Sequence, residues 1–141
     1  LVSHRLYDNN EAHSLYIEAN KLILRIKPLA GANSVFDIST GIVDNTDYHI
    51  VVSFDPWNTK RLVAILNGVI CLDATSSIVS TMYSGDQGDN NSNISIGSFK
   101  NSNNDTVITA NAFSGDISDV AVYSYALTPQ QAIAHYNARL L

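Results

Sequence analysis

Charge and cysteine are both scarce in this chain, and each shortage closes off a class of function. Only eight residues of 141 are Lys or Arg, against thirteen Asp or Glu, giving a formal net charge of -5. The basic residues, among them Lys21, Arg25, Lys27, Lys60, Arg61 and Lys100, are scattered along the chain. Binding to a nucleic-acid backbone rests on clustered Lys and Arg, so the composition argues against nucleic acid as a partner. Cys71 is the single cysteine, which excludes an intrachain disulfide and leaves the redox compartment open. Its place in the apolar run Val69-Ile70-Cys71-Leu72 predicts a buried structural thiol rather than a reactive one. No apolar run approaches the roughly eighteen residues of a membrane span, so no membrane insertion is expected. A secretory leader pattern is also missing. Because Leu1-Val2-Ser3 opens without an initiator Met, the chain is expected to be a processed product, an excised domain or part of something longer.

What is present is a chain long enough for one ordinary domain with a real core, so residues 1–141 are taken as a single domain. Hydrophobic residues at 45% and charged residues at 15% place it with globular rather than disordered chains. Asn, Ser and Thr crowd the stretches between short apolar runs, the usual composition of a loop-rich all-β domain. Ser14–Ala19 and Leu22–Lys27 read as strands joined by a tight connection at Asn20-Lys21. Ser34–Ser39 reads as another strand. In Asp47–Asp55, Tyr48, Ile50, Val52 and Phe54 share one face by the two-residue period. Arg61–Leu66 returns, Asn67-Gly68 suits the two positive-φ positions of a type I′ turn, and Val69–Leu72 completes a three-stranded meander. Further along, Asn93–Phe99 alternates, Thr106–Ala112 reads as a short strand, and Gly115–Tyr125 as a long one. A helix is predicted from Thr128, where Thr128 caps, Pro129 fits the first helical position and Gln131 completes a capping box. Ile133, Tyr136 and Leu140 then fall along one side of it. The predicted architecture is all-β, an antiparallel two-sheet jelly-roll sandwich with a short C-terminal helix.

Three segments carry a resemblance to a known family. Asp47-Tyr-His-Ile-Val-Val-Ser-Phe-Asp55 pairs an aromatic with His and closes on aromatic-Asp; Leu62–Val69 contains the strand and Asn-Gly turn, with Ala64 and Ile65 where an aromatic is usual; Phe113–Gln131 supplies a closing strand and helix start. In these features the chain resembles the laminin G-like, concanavalin A-like lectin/glucanase group. The resemblance implies a jelly roll that opens with a Phe-Asp-Gly strand and an aromatic-rich strand, and neither appears here. On that basis roughly 30 to 50 residues of an ordinary-sized domain are expected before Leu1. Another chain, a cleaved N-terminal piece or a neighbouring subunit is expected to supply the missing strands, since an unfilled edge is an aggregation hazard.

No catalytic constellation emerges. Glycoside hydrolysis needs two carboxyls flanking one bond, whereas the only glutamates, Glu11 and Glu18, stand in different contexts. Glu18 reads as a solvent-facing strand residue. His4, His13, His49 and His135 form neither a triad nor a zinc spacing and read as packed or surface residues. The polar loop Asp86-Gln-Gly-Asp-Asn-Asn91 offers the oxygen ligands calcium prefers, with Asp86 and Asp89 as candidate ligands, although no Glu closes it in the EF-hand manner. A solvated loop is the plain alternative. Asp8-Asn-Asn-Glu11 is a second, weaker calcium candidate. Trp57 at a hairpin tip, with Tyr83, Asp86, Asp89, Asn90 and Asn91, forms the candidate ligand-binding set, Trp57 because aromatic faces stack on sugar rings; a tip Trp also packs on its own domain or on a partner. Sequons at Asn90, Asn93 and Asn104 matter only for a secreted eukaryotic protein. The expected function is a non-enzymatic recognition module binding glycans or a protein surface through rim loops, at an extracellular, cell-surface or virion-surface location. The alternative is a structural component of a surface assembly or phage virion, as decoration, cement or fibre. Glycoside hydrolysis ranks last.

Overall fold

In the computed structural model, the structure describes residues 2–6, 10–26, 34–55, 58–75, 94–100, 107–108 and 112–139. Two antiparallel sheets dominate. The larger contains β1 (Val2–Leu6), β2 (Asn10–Glu18), β3 (Lys21–Ile26), β4 (Ser34–Thr40) and β8 (Ile94–Ile96), in the order β4-β3-β2-β1-β8. The smaller is the predicted meander of β5 (Ile50–Asp55), β6 (Arg61–Leu66) and β7 (Val69–Thr75). A separate pair joins β9 (Phe99–Lys100) to β10 (Val107–Ile108). Helix α1 (Pro129–Ala138) follows near the C-terminus.

The two-residue period explains how the sheets face each other. Leu22, Leu24 and Ile26 alternate along β3 onto one face, and Leu62 and Ala64 do the same on β6; all five are buried in one cluster with Ile38 and Ile42. Ile50, Val52 and Phe54 of β5 pack against that cluster, in register with Leu66, Ala64 and Leu62. A side chain such as Leu62, with 0% exposure, contributes about 1.5–3 kcal/mol by leaving water. The intervening residues Val63 and Ile65 face the opposite way and form a second cluster with Ala132 of α1, joined by Val51 and Ile133. β6 is therefore buried on both faces, with the larger sheet on one side and the helix on the other. Its unbroken run Leu62–Leu66 is the sequence signature of that position.

Turn chemistry holds with one shift. Asn67 (φ 49°) and Gly68 (φ 78°) take the two left-handed positions between β6 and β7. The first hairpin turns one residue earlier than expected: Ala19 (φ 48°) and Asn20 (φ 61°) are its centre, and Glu18 pairs with Lys21. Glu18 is exposed, as predicted.

Two expectations are corrected. Cys71 is exposed rather than buried. The register of β6 against β7 jumps from Ala64↔Leu72 to Ile65↔Ile70, so Cys71 is the extra, unpaired residue of a bulge. Leu72 and Ala74 beyond it keep the core-facing positions, and the thiol stays outside, 3.5 Å from the Val69 carbonyl. The second correction concerns Gly115–Tyr125, which is no strand: it forms no ladder with any described strand. Asp119 sits at φ 52°, and a left-handed residue there interrupts the regular pleat. On either side of that kink the segment simply runs exposed.

Candidate interaction surface

The residues predicted to contact ligand, Trp57, Tyr83, Asp86, Asp89, Asn90 and Asn91, lie outside the described residues, as do the three sequons and Asp8. What is described is the connection between β5 and β6 at Asn58 and Thr59. The Asp55 carboxylate accepts hydrogen bonds from the Asn58 N–H at 3.0 Å, the Thr59 N–H at 3.0 Å and the Thr59 hydroxyl at 2.9 Å. Asp55 therefore holds the turn at Asn58 and Thr59 that leads into β6 and is committed to that structural task.

Two other carboxylates are paired across strands. Lys21 donates to Asp37 at 2.7 Å, and Arg61 holds Asp73 in a two-pronged contact at 2.8 and 2.6 Å. The hydrogen bond from Arg61 keeps the Asp73 carboxyl below the ordinary value of 3.8. Among the described residues no group of three or more His, Cys, Asp or Glu is placed to hold a metal ion.

The described surface instead gathers aromatic and apolar groups near the C-terminus. Thr128 caps α1 as predicted: its hydroxyl accepts from the Gln131 N–H at 3.2 Å, and the Gln131 side-chain oxygen accepts from the Thr128 N–H at 2.8 Å. Just before it, the Leu127 carbonyl accepts a 2.7 Å hydrogen bond from the Ser53 hydroxyl of β5. These contacts pin the helix start to the small sheet. The other end is seated by Tyr136, whose ring lies over Gly68, 5.7 Å from the His49 ring, with the Arg139 guanidinium 4.8 Å from its centroid. Gly68 is required twice, for its positive φ and because a Cβ would stand 2.6 Å from Tyr136 Cδ1.

Upstream of the cap, the irregular segment exposes a run of large side chains. Ile117, Val120, Val122, Tyr123 and Tyr125 are all solvent-facing, Val122 at 69% and Tyr125 at 61%. Tyr123 packs edge-on to Tyr125 at 5.7 Å and tilts against His135 of the helix at 5.8 Å, with its hydroxyl 3.5 Å from His135 Nδ1. After Asp119 the sequence Val120-Ala-Val-Tyr-Ser-Tyr125 places apolar or aromatic residues at both odd and even positions, Ser124 excepted, with a bend at Ser124-Tyr125. Such a pattern suits a strand covered on both faces, yet these residues meet solvent. The run is expected to be a closing strand; the doubly apolar alternation is the sequence signal that sets it apart from a strand with one solvent face. His49 was read as packed or surface, and its seat beneath Tyr136 depends on a helix contact that strand periodicity does not encode.

Comparison with known families agrees with the architecture. A laminin G-like family model, described as the concanavalin A-like lectin/glucanases superfamily, matches residues 2–133. No curated protein and no solved structure matches the chain. The family match supports a carbohydrate- or protein-binding module. Laminin G-like domains are typically non-enzymatic and often extracellular, while the superfamily also includes glycosidases. No described helix is long and apolar enough to cross a membrane.

Proposed function

The chain belongs to the concanavalin A-like lectin/glucanase superfamily, and we propose that it is a non-enzymatic recognition module that binds glycans or a protein surface, displayed at an extracellular, cell-surface or virion-surface location. The observation that carries this reading is the exposed run Ile117–Tyr125. Contiguous apolar and aromatic side chains left in water mark interaction sites rather than folding elements. Tyrosine suits such a role, since its ring gives contact area and its hydroxyl keeps a polar handle. We assign the rim-loop contacts to Trp57, Tyr83, Asp86, Asp89, Asn90 and Asn91 on their residue types, with calcium at Asp86 and Asp89 as the accompanying proposal.

A second reading rests on a specific observation. β5 is one of the two outer strands of the described three-stranded sheet, and the segment 116–126 runs exposed beside the cap that Ser53 of β5 helps to fix. An outer strand invites a further strand, so the domain is alternatively a structural component of a surface assembly or virion, completed by a strand from another subunit. One set of measurements separates the two. The wild type, Trp57→Ala and the paired change Val122→Asp with Tyr125→Ala are applied to a glycan array with and without EDTA, and their masses are measured by light scattering. Recognition predicts a monomer whose glycan binding is lost in Trp57→Ala and in the Val122/Tyr125 pair, with no change of mass. Assembly predicts a stable oligomer that the Val122/Tyr125 pair dissociates, with no glycan binding. A monomer that binds no glycan in any form refutes both the glycan reading and the assembly reading.

A further inference from the structure

We propose that His49 is a pH-sensitive latch for helix α1: neutral, it seats the helix on the small sheet through Tyr136, and protonated, it releases it. The imidazole has little freedom to escape its seat. Its own backbone N–H donates to Asn67 Oδ1 at 2.8 Å, and its carbonyl accepts from the Asn67 N–H at 2.8 Å. The His49 backbone is thereby fixed beside the Asn67-Gly68 turn, and Tyr136 lies against both the His49 ring and Gly68.

Nδ1 of His49 is buried and has no hydrogen-bond partner among the described residues. In the neutral ring this nitrogen can stand as a bare acceptor at modest cost. Once protonated it becomes a buried N–H donor carrying charge, with nothing to receive it, which is strongly unfavourable. The groups facing it add to that cost. From α1 come Arg139 and His135, which both disfavour a protonated His49, and the ring of Tyr136. From the β6–β7 turn come only Asn67 and Gly68. Burial first, then Arg139, then His135 hold His49 below the ordinary histidine value of 6.5.

The sign follows directly. A histidine whose folded value is depressed contributes stability that is complete above 6.5 and is lost as pH falls through the folded value. Within that window the docking equilibrium shifts by about tenfold per pH unit for one proton. Because the ring faces the helix, the loss is expected in α1 and the Tyr136 seat before it reaches the Leu22–Leu62 core. Moving the helix also moves His135 away from Tyr123, which alters the exposed segment.

The test uses the full chain. The His49 imidazole is titrated by NMR between pH 4.5 and 8, and amide hydrogen exchange is followed over Pro129–Ala138 and over β6. The expected result is a His49 midpoint below 6.5, with helix protection falling between pH 6.5 and that midpoint and levelling off below it, while β6 protection holds. His49→Gln, which cannot take the proton, should flatten the pH dependence of helix protection, and His135→Gln should leave it in place. A His49 midpoint at or above 6.5 overturns the proposal, as does pH-dependent helix protection that persists unchanged in His49→Gln. Should His49→Gln fail to fold, the wild-type titration set beside the exchange profile decides.

Discussion

Gly68→Ala tests the joint between helix and sheet more sharply than any other single change. Two separable costs are worked from the geometry. The first belongs to the backbone: at φ +78° an L-residue pays roughly 1–2 kcal/mol for the left-handed region. The second belongs to Tyr136. The new Cβ would stand 2.6 Å from Cδ1, 3.1 Å from Cε1 and 3.3 Å from Cγ, against an ordinary contact of 3.4–4 Å. The ring has to withdraw, and it gives up its tilted contact with His49, worth about 0.5–1.5 kcal/mol by the usual aromatic-pair scale. The sum is a destabilisation of about 1.5–3.5 kcal/mol from these two terms. A double-mutant cycle with Tyr136→Ala isolates them, because without the ring only the backbone cost remains. The assay is urea unfolding followed by the fluorescence of Trp57, the sole tryptophan, with unchanged m values as the condition for comparing midpoints. A coupling of about 0.5–1.5 kcal/mol is expected; additivity within about 0.3–0.5 kcal/mol would refute the close approach of Tyr136 to the turn.

Thr128→Ala removes one arm of the capping box and should cost about 1 kcal/mol in urea unfolding, with hydrogen exchange in α1 quickened more than in β6; an unchanged midpoint would contradict the cap. Leu62→Ala, at a position with no exposure, should cost about 2–5 kcal/mol, whereas Tyr125→Ala, 61% exposed, should stay within about 0.5 kcal/mol of wild type. Equal effects of these two changes would overturn the assignment of the inner and outer surfaces.

The parts of the fold that could be read from sequence are those whose cause is local. The β5–β6–β7 meander follows from alternation at Ile50, Val52 and Phe54 and from the conformational demand of Asn67-Gly68. The capping box at Thr128 and Gln131 is equally self-contained, because both partners lie within one helical turn. The misreadings share a different origin. Cys71 sits in an apolar run, but a bulge set by the pairing of β7 with β6 turned it outward, and pairing register is a property of two strands. Gly115–Tyr125 has the composition of a strand, yet a ladder needs a neighbour with free backbone groups, and composition does not announce one. Asp119 in the left-handed region adds a break that Asp tolerates without any flanking signal. His49 shows the same limit for the site. Its alternation places it on one side of the strand leading into β5, while its chemistry arises from Tyr136 and Arg139, more than eighty residues away in sequence.

Helix α1 ties the two functional proposals to one mechanical element. On its inner side Ala132 and Ile133 close the second apolar cluster, and Tyr136 rests on His49 and Gly68. On its outer side His135 meets Tyr123, the residue that links the helix to the exposed segment. A partner that grips Tyr123 and Tyr125 more firmly when the helix is docked must, by reciprocity, favour the docked helix and therefore the neutral form of His49. The coupling runs both ways: protonation that frees the helix weakens the same partner by the same factor. The shared helix also separates the two functional readings. A strand completing the sheet along β5 would draw its affinity from backbone hydrogen bonds and would feel the helix only through Ser53 and Leu127. A ligand held by the tyrosines would feel it through His135, and its affinity should follow the protonation of His49.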